Sequence, residues 1–519
     1  MPENTASVIA VNIPSVENKS NFGGESSTQK VLRYFSNYGF SNETFDFAMS
    51  TLFNRADSIG VNHNSRLYAY LIPSKEFRNA YRCILVSLTD SARFASYVRN
   101  NAGINYNMLS GAQNCVCYIN TNDRFSWIAY NDEVAVFGCS AIHTKGILEC
   151  VNTIFDKKKS LASNRDFCTF DSQLSDAGMW TSTTDMLEAY SLWYNDLPQN
   201  PIVKNIPEKV MKDNYIHLNL AFEESLSVNF ECIPSRALRA YWEKNKFTRK
   251  PDHNKFYELC RHVKEPLWFA SLAINPEKLL NLCKDSDVAT YMDKELAKLN
   301  LTTLDFANSF TGDCVYGMYD VTFESVRTFR FMQNPATTML WKHLQNDEKT
   351  LFPHLVFAFA LNDDKIPNMV LNHISSEICE QLAPGYFNFS KIMGFPLYVV
   401  CKDKTLLVLT DKSFAEDELK QDYTQSYVLT PQLSQFCEES SNYTSYHYMD
   451  CTVKNYSQPL LDYLQQQNIL SLVESYSSIV KSAKMYLTDT YSGNIVVDFQ
   501  DTTKNSLVQL DYLLEIVFP

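Results

Sequence analysis

The residues of this chain whose types could do chemistry are 9 histidines, 14 cysteines and 59 aspartates and glutamates. The sequence contains none of the motifs HExxH, GxSxG, GxxxxGK(S/T) or GxGxxG, which build a metal site, a nucleophile or a phosphate-binding loop. The nearest histidines, His253 and His262, flank Cys260 in a basic segment. We interpret this segment as a solvated loop, so the pair predicts no metal site.

A second set of polar residues has the spacing of one helix face. His373, Glu377 and Glu380 lie at positions i, i+4 and i+7, and one imidazole with two carboxylates is a chemically reasonable set of metal ligands. The same pattern on an isolated surface helix is an ordinary polar face. We therefore predict no metal site here.

The remaining candidates are weaker. Ser478 and Lys481 match SxxK, but a lysine that acts as a base must be buried with a lowered pKa, and the flanking residues do not indicate this. Asp313 and Asp450 end apparent strands, where a turn or cap role is usual. The sequence thus predicts no catalytic, cofactor-binding or metal-binding residue, no cofactor and no enzymatic activity.

The cysteines are scattered singly through apolar segments. There is no CxxC pair, and the closest two are Cys115 and Cys117. In a strand these two side chains point to the same face, which favours packing over zinc binding. Many unpaired thiols favour a reducing compartment, although the even count leaves disulfides open.

Composition limits the class of partner. The chain has 519 residues and a net charge of −13, which argues against a nucleic-acid surface because phosphate binding needs clustered cations. The basic runs 156–159 and 244–255 are the only candidate anion contacts, and we interpret them as solvated. The longest apolar runs are far shorter than a membrane span, and the N-terminus lacks the features of a signal peptide. These features predict a cytoplasmic protein or one whose leader was removed.

The pattern along the chain alternates short strands with short amphipathic helices. The clearest hairpin is Tyr215–Cys232, where apolar residues alternate on both sides of Glu223 and Glu224. A second hairpin is predicted at Met485–Phe499 with its turn at Ser492–Asn494. Hairpins predict antiparallel sheets, and the intervening helices predict an α+β fold with helices packed on one face.

The order of these elements repeats in the second half of the chain. FASLAIN followed by a proline-initiated helix parallels SVIAVNI near the N-terminus, and the later elements follow at a nearly constant offset. We therefore predict two tandem pseudo-repeated α+β domains, residues 1–262 and 263–519. The basic segment 244–266 is the expected linker.

Several loose motifs resemble a known family. They are SVIAVNIPSVENKS, Asp176–Trp180, the hairpin Tyr215–Cys232, LWFASLAINPEKLLNL, Gly312-Asp313, the segment from Pro353 and NSLVQLDYLL near the C-terminus. Together they resemble a Bacteroidota envelope-lipoprotein family catalogued as a domain of unknown function, number forty-eight thirty-six. The resemblance implies no activity and no site residues. We expect the chain to depart from the family in lacking a leader and a lipobox cysteine, and it has many thiols; these departures disfavour an envelope location.

The functional expectation follows from what is absent and from the aromatic content. The 30 tyrosines exceed the needs of packing, and tyrosine is favoured where a surface meets a partner; Ser440–Tyr448 is one such segment. We expect a non-enzymatic protein-interaction or structural component of a bacterial assembly, with protein partners bound in part by strand addition. An envelope ligand-binding lipoprotein is the alternative. An enzyme assembled from distant residues, with Asp313 or His373 in a cleft, also stays open.

Overall fold

The computed structural model describes residues 1–20, 58–62, 64–74, 79–102, 106–121, 125–140, 146–186, 208–283, 287–325, 328–332, 340–344, 349–374, 376, 378–421 and 428–517. The chain divides into two compact units. The first comprises Met1–Tyr241 with Thr502–Glu515, and the second comprises Trp242–Asp501 with the last four residues. The expected domain border at 262/263 therefore falls inside the second unit, and the C-terminal helix begins in the first.

The first unit is built on an antiparallel sheet. Its strands are β1 (Ser7–Asn12), β2 (Arg66–Ser74), β3 (Asn79–Ser87), β4 (Tyr106–Met108), β5 (Val116–Asn120), β6 (Ser126–Tyr130), β7 (Val134–Ser140), β8 (Ala177–Ser182), β9 (Tyr215–Phe222) and β10 (Leu226–Ile233). Their order in the sheet is β4-β5-β6-β7-β3-β2-β1-β8-β9-β10. The predicted hairpin is confirmed, because β9 and β10 pair along their length, starting at the turn with Phe222 opposite Leu226.

Helices pack on this sheet where its alternating side chains are apolar. They are α1 (Ile13–Ser20), α2 (Ser91–Ala102), α3 (Ile147–Ile154), α4 (Arg165–Ser172), α5 (Glu208–Met211) and α6 (Arg236–Asn245), which crosses into the second unit. On one face α3 and α4 cover a core that includes Trp127 and Trp180. Ile128, the residue after Trp127 in β6, points to the other face, where Phe94 and Val98 of α2 cover it.

The second unit also contains an antiparallel sheet. Its strands are β11 (Trp268–Ala273), β12 (Phe310–Ser325), β13 (Thr328–Met332), β14 (Leu340–Leu344), β15 (Lys349–Leu361), β16 (Glu380–Ala383), β17 (Tyr386–Asn388), β18 (Tyr398–Lys402), β19 (Thr405–Leu409), β20 (Ser445–Asp450), β21 (Val480–Leu487) and β22 (Ser492–Phe499). The order in this sheet is β16-β17-β18-β19-β15-β12-β11-β20-β21-β22. Strands β13 and β14 form a separate ribbon.

The helices of the second unit are α7 (His253–Cys260), α8 (Pro276–Cys283), α9 (Asp287–Ala297), α10 (Thr303–Asn308), α11 (Lys365–His373), α12 (Ser390–Met393), α13 (Lys412–Lys420), α14 (Pro431–Ser440), α15 (Gln458–Gln466) and α16 (Leu470–Ser477). The last helix, α17 (Ser506–Val517), begins in residues of the first unit. Helices α7, α13 and α14 supply Phe256, Phe414 and Phe436 to one large core on the inner face of the sheet.

The expected α+β class with antiparallel sheets is confirmed. The structure adds a helix on the second face of each sheet, α2 in the first unit and α11 in the second. In both units the described strands, numbered along the chain, occupy the same successive positions across the sheet. This agreement is what the duplication hypothesis expects, and the duplication itself stays a prediction.

Two local predictions are wrong. The turn of the last hairpin lies between Leu487 and Ser492, not at Ser492–Asn494, because the Asp489 carboxylate accepts hydrogen bonds from the backbone N–H groups of Tyr491 and Ser492. The basic segment is also not a solvated linker beyond residue 252, because it forms helix α7 there. Within the described part of the chain, no helix is long and apolar enough to cross a membrane.

Candidate functional site

A pocket of about 440 Å³ opens in the second unit between helix α7, the β18–β19 hairpin and helix α13. Its lining consists of charged side chains over an apolar floor: Lys255, Glu258, Arg261, His262, Val400, Lys402, Asp403, Lys404, Thr405, Leu407 and Glu418. Four cations and three carboxylates thus face one cavity. This is the candidate ligand site of the described chain.

Local sequence explains how helix α7 is positioned beside the pocket. The Asp252 side chain accepts hydrogen bonds from the backbone N–H groups of Asn254 and Lys255 and so starts the helix. Phe256 and Leu259 are buried in the core, which fixes the opposite face of the helix toward the cavity. The expected solvated loop is therefore a packed helix.

The β18–β19 hairpin supplies the other wall. Asp403 and Lys404 both have left-handed backbone conformations, with φ of 51° and 59°. Two successive residues of this kind make a two-residue hairpin turn whose twist matches the strands. Lys402 is held differently, because its Nζ donates to the backbone carbonyls of Leu419 (3.2 Å) and Gln421 (2.8 Å) at the end of α13.

Most pocket charges have partners within the protein. Lys255 pairs with Glu258 at 2.9 Å. The Nδ1 atom of His262 lies 2.7 Å from Oε2 of Glu418, and both side chains are buried. A buried carboxylate needs such a hydrogen-bonded partner, since desolvation otherwise disfavours its charge.

Arg261 lacks a polar partner of this kind. Its guanidinium lies over the ring of Tyr257, 5.3 Å from the centroid, and its Nε is buried without a hydrogen-bond partner in the described structure. A buried donor without an acceptor is costly, about 1–3 kcal/mol. The pocket thus contains a cationic group with unused donor capacity.

The side chains of the pocket suit binding more than covalent chemistry. The described lining includes no serine, cysteine or tyrosine, and its one hydroxyl belongs to Thr405. An activated nucleophile needs a base within hydrogen-bond reach, and a carboxylate on Nδ1, as Glu418 is on His262, would orient such a base, but the described lining offers it no serine, cysteine or tyrosine to activate. The arrangement can therefore orient a ligand by charge and shape.

A second feature is an apolar surface on the outer face of the second sheet. It is formed by Trp268, Met449, Met485 and Ile495, and we call it the outer patch. Trp268 pairs directly with Met449, and Met485 with Ile495. Each of the four side chains is 37–46% exposed.

Strand alternation produces this patch. In β11 the inward residue Phe269 is fully buried and stacks on Phe436 at 5.0 Å, so its neighbour Trp268 points outward. Toward the other end of the same sheet the outer face is covered, because Leu371 and Ile374 pack there with Phe387 and Val399. The described helices thus cover one part of this face more fully than the other.

The structure separates the histidine candidates. His253 begins helix α7, whereas His262 lies in the pocket with Glu418. His373 ends helix α11 and Glu380 lies in strand β16, so they do not share one helix face. Glu377 lies outside the described residues. Among the residues that the structure describes, no group of three possible metal ligands is found.

The other sequence candidates have structural surroundings. Ser478 donates a hydrogen bond to Ser475 O at the end of α16, and Lys481 is exposed, so the SxxK pair has no buried lysine. Asp450 accepts from the N–H of Thr452 and from the Asn455 side chain. This is the cap-like role expected for a carboxylate at a strand end.

The tyrosine-rich segment Ser440–Tyr448 is largely a packing element. Tyr446 is 1% exposed and donates to Oε2 of Glu439 at 2.6 Å. Tyr443 stacks on Tyr486 with ring centroids 4.2 Å apart. Burial raises the pKa of Tyr448 to about 12. The expectation that these rings face a partner is wrong for Tyr446.

The described cysteines are all free thiols. Cys117 is fully buried in β5, and burial raises the pKa of its thiol to about 12. Burial likewise raises the pKa of Cys401 to about 12. These are packing residues, as the sequence predicted for the pair at 115 and 117.

Sequence reasoning missed both the pocket and the outer patch. Arg261 and Glu418 are far apart along the chain, and no motif links them. The sequence gives a weak indication of the patch. Trp268 and Met449 are large apolar residues at strand positions where the alternation predicts polar, solvent-facing side chains. The partner strands had to be known before the four residues could be placed together.

Comparison with known proteins adds a family. The sequence model described as "Domain of unknown function (DUF4836)" matches residues 1–351. No curated protein matches the chain. A solved structure titled "Structure of crystal form III of TP0453" is similar with a TM-score of 0.26 and 8% identity, covering 50% of this chain and 86% of that chain.

Proposed function

This chain belongs to the DUF4836 family, whose description names no activity, and from its own surface we propose that it is a non-enzymatic component of a bacterial assembly. The outer patch is the observation that carries the proposal. Exposed tryptophan, methionine and isoleucine side chains in one contiguous cluster are characteristic of protein-binding surfaces.

The proposed occupant is an amphipathic helix of a partner protein. Helix α11 of this chain supports this choice, because its Leu371 already packs on the outer face of the same sheet. A partner helix on Trp268, Met449, Met485 and Ile495 would bury the neighbouring part of that face in the same way. Methionine adapts to different partner surfaces, and tryptophan is a frequent hot-spot residue.

A photo-crosslinking experiment tests the surface. The crosslinking amino acid benzoylphenylalanine is placed at Met449 in the full chain and expressed in the native host. The matched control carries it at Tyr291, a large apolar side chain that is 64% exposed on helix α9. We expect one partner to be crosslinked in stoichiometric amount at position 449 only, with the crosslink mapped to one apolar helix face of that partner.

A synthetic peptide of the mapped helix then gives the quantitative test. It should bind the purified full chain, and Met449→Asp should weaken the binding at least tenfold while circular dichroism shows an unchanged fold. Equal crosslinking at 449 and 291, or crosslinking only between copies of this chain, overturns the proposal.

The envelope ligand-binding lipoprotein is the second candidate, and the pocket favours it. The family number expected from the motifs is confirmed, while the Bacteroidota source and the lipoprotein nature stay predictions. Cytoplasmic location is likewise part of the proposal. Intact mass spectrometry of the protein from its host tests the lipoprotein candidate, because an added acyl mass in a membrane fraction supports the envelope lipoprotein, whereas a soluble protein of unmodified mass overturns it.

A further inference from the structure

We propose that the pocket of the second unit binds a small organic anion, a carboxylate or phosphate monoester attached to a short apolar body. This inference rests on the pocket alone and does not depend on the outer patch. The headgroup would meet Arg261, and the apolar body would lie along the aliphatic stems of the cavity walls.

The charge of the pocket is the first argument. The cations Lys255, Arg261, Lys402 and Lys404 outnumber the carboxylates Glu258, Asp403 and Glu418 by one, although the whole chain has a net charge of −13. A local cationic excess in an acidic protein focuses an anion toward this site.

The second argument is which cations are free to bind. Lys255 is paired with Glu258, and Lys402 donates to two carbonyls. Lys404 and Arg261 have no side-chain hydrogen bond or ion pair with any residue that the structure describes. The planar guanidinium matches the two oxygens of a carboxylate or phosphate, and an anion at Arg261 would supply the acceptor that its Nε lacks.

The third argument is the floor. Val400 and Leu407 are 1% and 2% exposed, so the core closes the bottom of the cavity, and the apolar surface open to a ligand is supplied by the aliphatic stems of the lining lysine and arginine side chains. Among the described lining residues, Thr405 supplies the one hydroxyl group. A volume of about 440 Å³ lies in the range of small-molecule pockets, which combine apolar walls with a few fixed polar groups.

Calorimetric titration of the full chain tests this inference with four probes: hexanoate, hexyl phosphate, inorganic phosphate and neutral hexanol. We expect hexanoate or hexyl phosphate to bind more tightly than inorganic phosphate, because only these two probes carry an apolar body that can pack on the aliphatic stems of the cavity walls. Hexanol should bind at least tenfold more weakly than the matching anion. The preference between hexanoate and hexyl phosphate identifies the headgroup.

Three variants locate the binding site. Arg261→Gln should weaken binding at least tenfold, and Lys404→Gln, in an exposed turn, should weaken it about threefold to fivefold at low salt because it acts only through charge. The control Lys298→Gln removes an exposed lysine outside the pocket that pairs with Glu295 and should leave binding unchanged. If Arg261→Gln fails to fold, Lys404→Gln still provides the test.

Three results overturn the inference. They are the absence of binding by any anion at 10 mM, unchanged binding in both pocket variants, and equal weakening by Lys298→Gln. Crosslinking at Met449 is independent of all three, so failure here and failure of the proposed function are distinguishable.

Discussion

Arg249 reaches from the segment before helix α7 to the first residues of strand β12, where its Nη2 donates to Oδ2 of Asp313 at 2.5 Å. The Asp313 side chain is 1% exposed and also accepts from the Thr311 hydroxyl and the N–H of Asp252. The carboxylate considered as a possible catalytic group thus joins two chain segments, 249–252 and 311–313, and its oxygens accept hydrogen bonds from protein donors.

Arg249→Met should lower the free energy of unfolding by about 3 kcal/mol, because it leaves the Asp313 carboxylate buried without its cation. Urea unfolding followed by circular dichroism measures the change. The control Lys255→Met breaks the more exposed pair with Glu258 and should cost less than about 1 kcal/mol. Equal losses in the two variants would contradict a special role for the Arg249–Asp313 pair.

Gly138 should tolerate no side chain, because strand β7 places it opposite Trp127 of β6. A Cβ at 138 would lie 2.0 Å from Cζ2 of the fully buried indole. Gly138→Ala should therefore destabilise the protein by about 1–3 kcal/mol through overpacking. In the Trp127→Leu background the same substitution should cost less, and additive losses in a double-mutant cycle would exclude the clash.

Two histidines, the buried His217 and the half-buried His447, should make stability fall with acid. Burial lowers the pKa of His217 in β9 and of His447 in β20. Glu231 and Asp166 raise the pKa of His217, but by less than burial lowers it. The unfolded chain then takes up protons first, so the stability is fully present above about pH 6.5 and is lost as the pH falls toward the folded-state pKa values.

Urea unfolding at pH 7.5 and pH 5.5 measures this effect. His217→Gln and His447→Gln should each lose less stability between the two pH values than the wild-type chain. The Nε2 of His217 has no hydrogen-bond partner in the described structure, so its substitution leaves no donor stranded. An unchanged pH dependence in both variants would show that carboxylates elsewhere dominate the acid response.

Cys168 should be the described thiol that reacts first with a disulfide reagent at pH 8. It is exposed, whereas the cysteines at 83, 117, 150, 260, 379, 401, 437 and 451 are buried. Cys168→Ser should remove one rapidly reacting thiol from the native protein, and Cys117→Ser should leave the fast phase unchanged. A fast phase that survives in Cys168→Ser would place the reactive thiol elsewhere.

Much of the local structure was readable from the sequence. The period-2 alternation of Tyr215–Cys232 predicted the β9–β10 hairpin with its turn at the right residues, because alternation depends only on near neighbours. The predicted turn of the last hairpin is wrong because it rests on the Gly-Asn signal at 493–494, whereas the Asp489 side chain stabilises a turn between Leu487 and Ser492. Turn chemistry is therefore less certain than strand periodicity.

The sequence by itself determined the antiparallel α+β class, the burial of most thiols and the lack of a recognisable catalytic motif, since these follow from local patterns of residue type. Only the tertiary structure decided which residues meet. His262 and Glu418 are 156 positions apart and form a buried pair, and Trp268 joins Met449 only through the β11–β20 register. Contacts of this kind depend on how distant segments pack, and no local pattern in the chain records that packing.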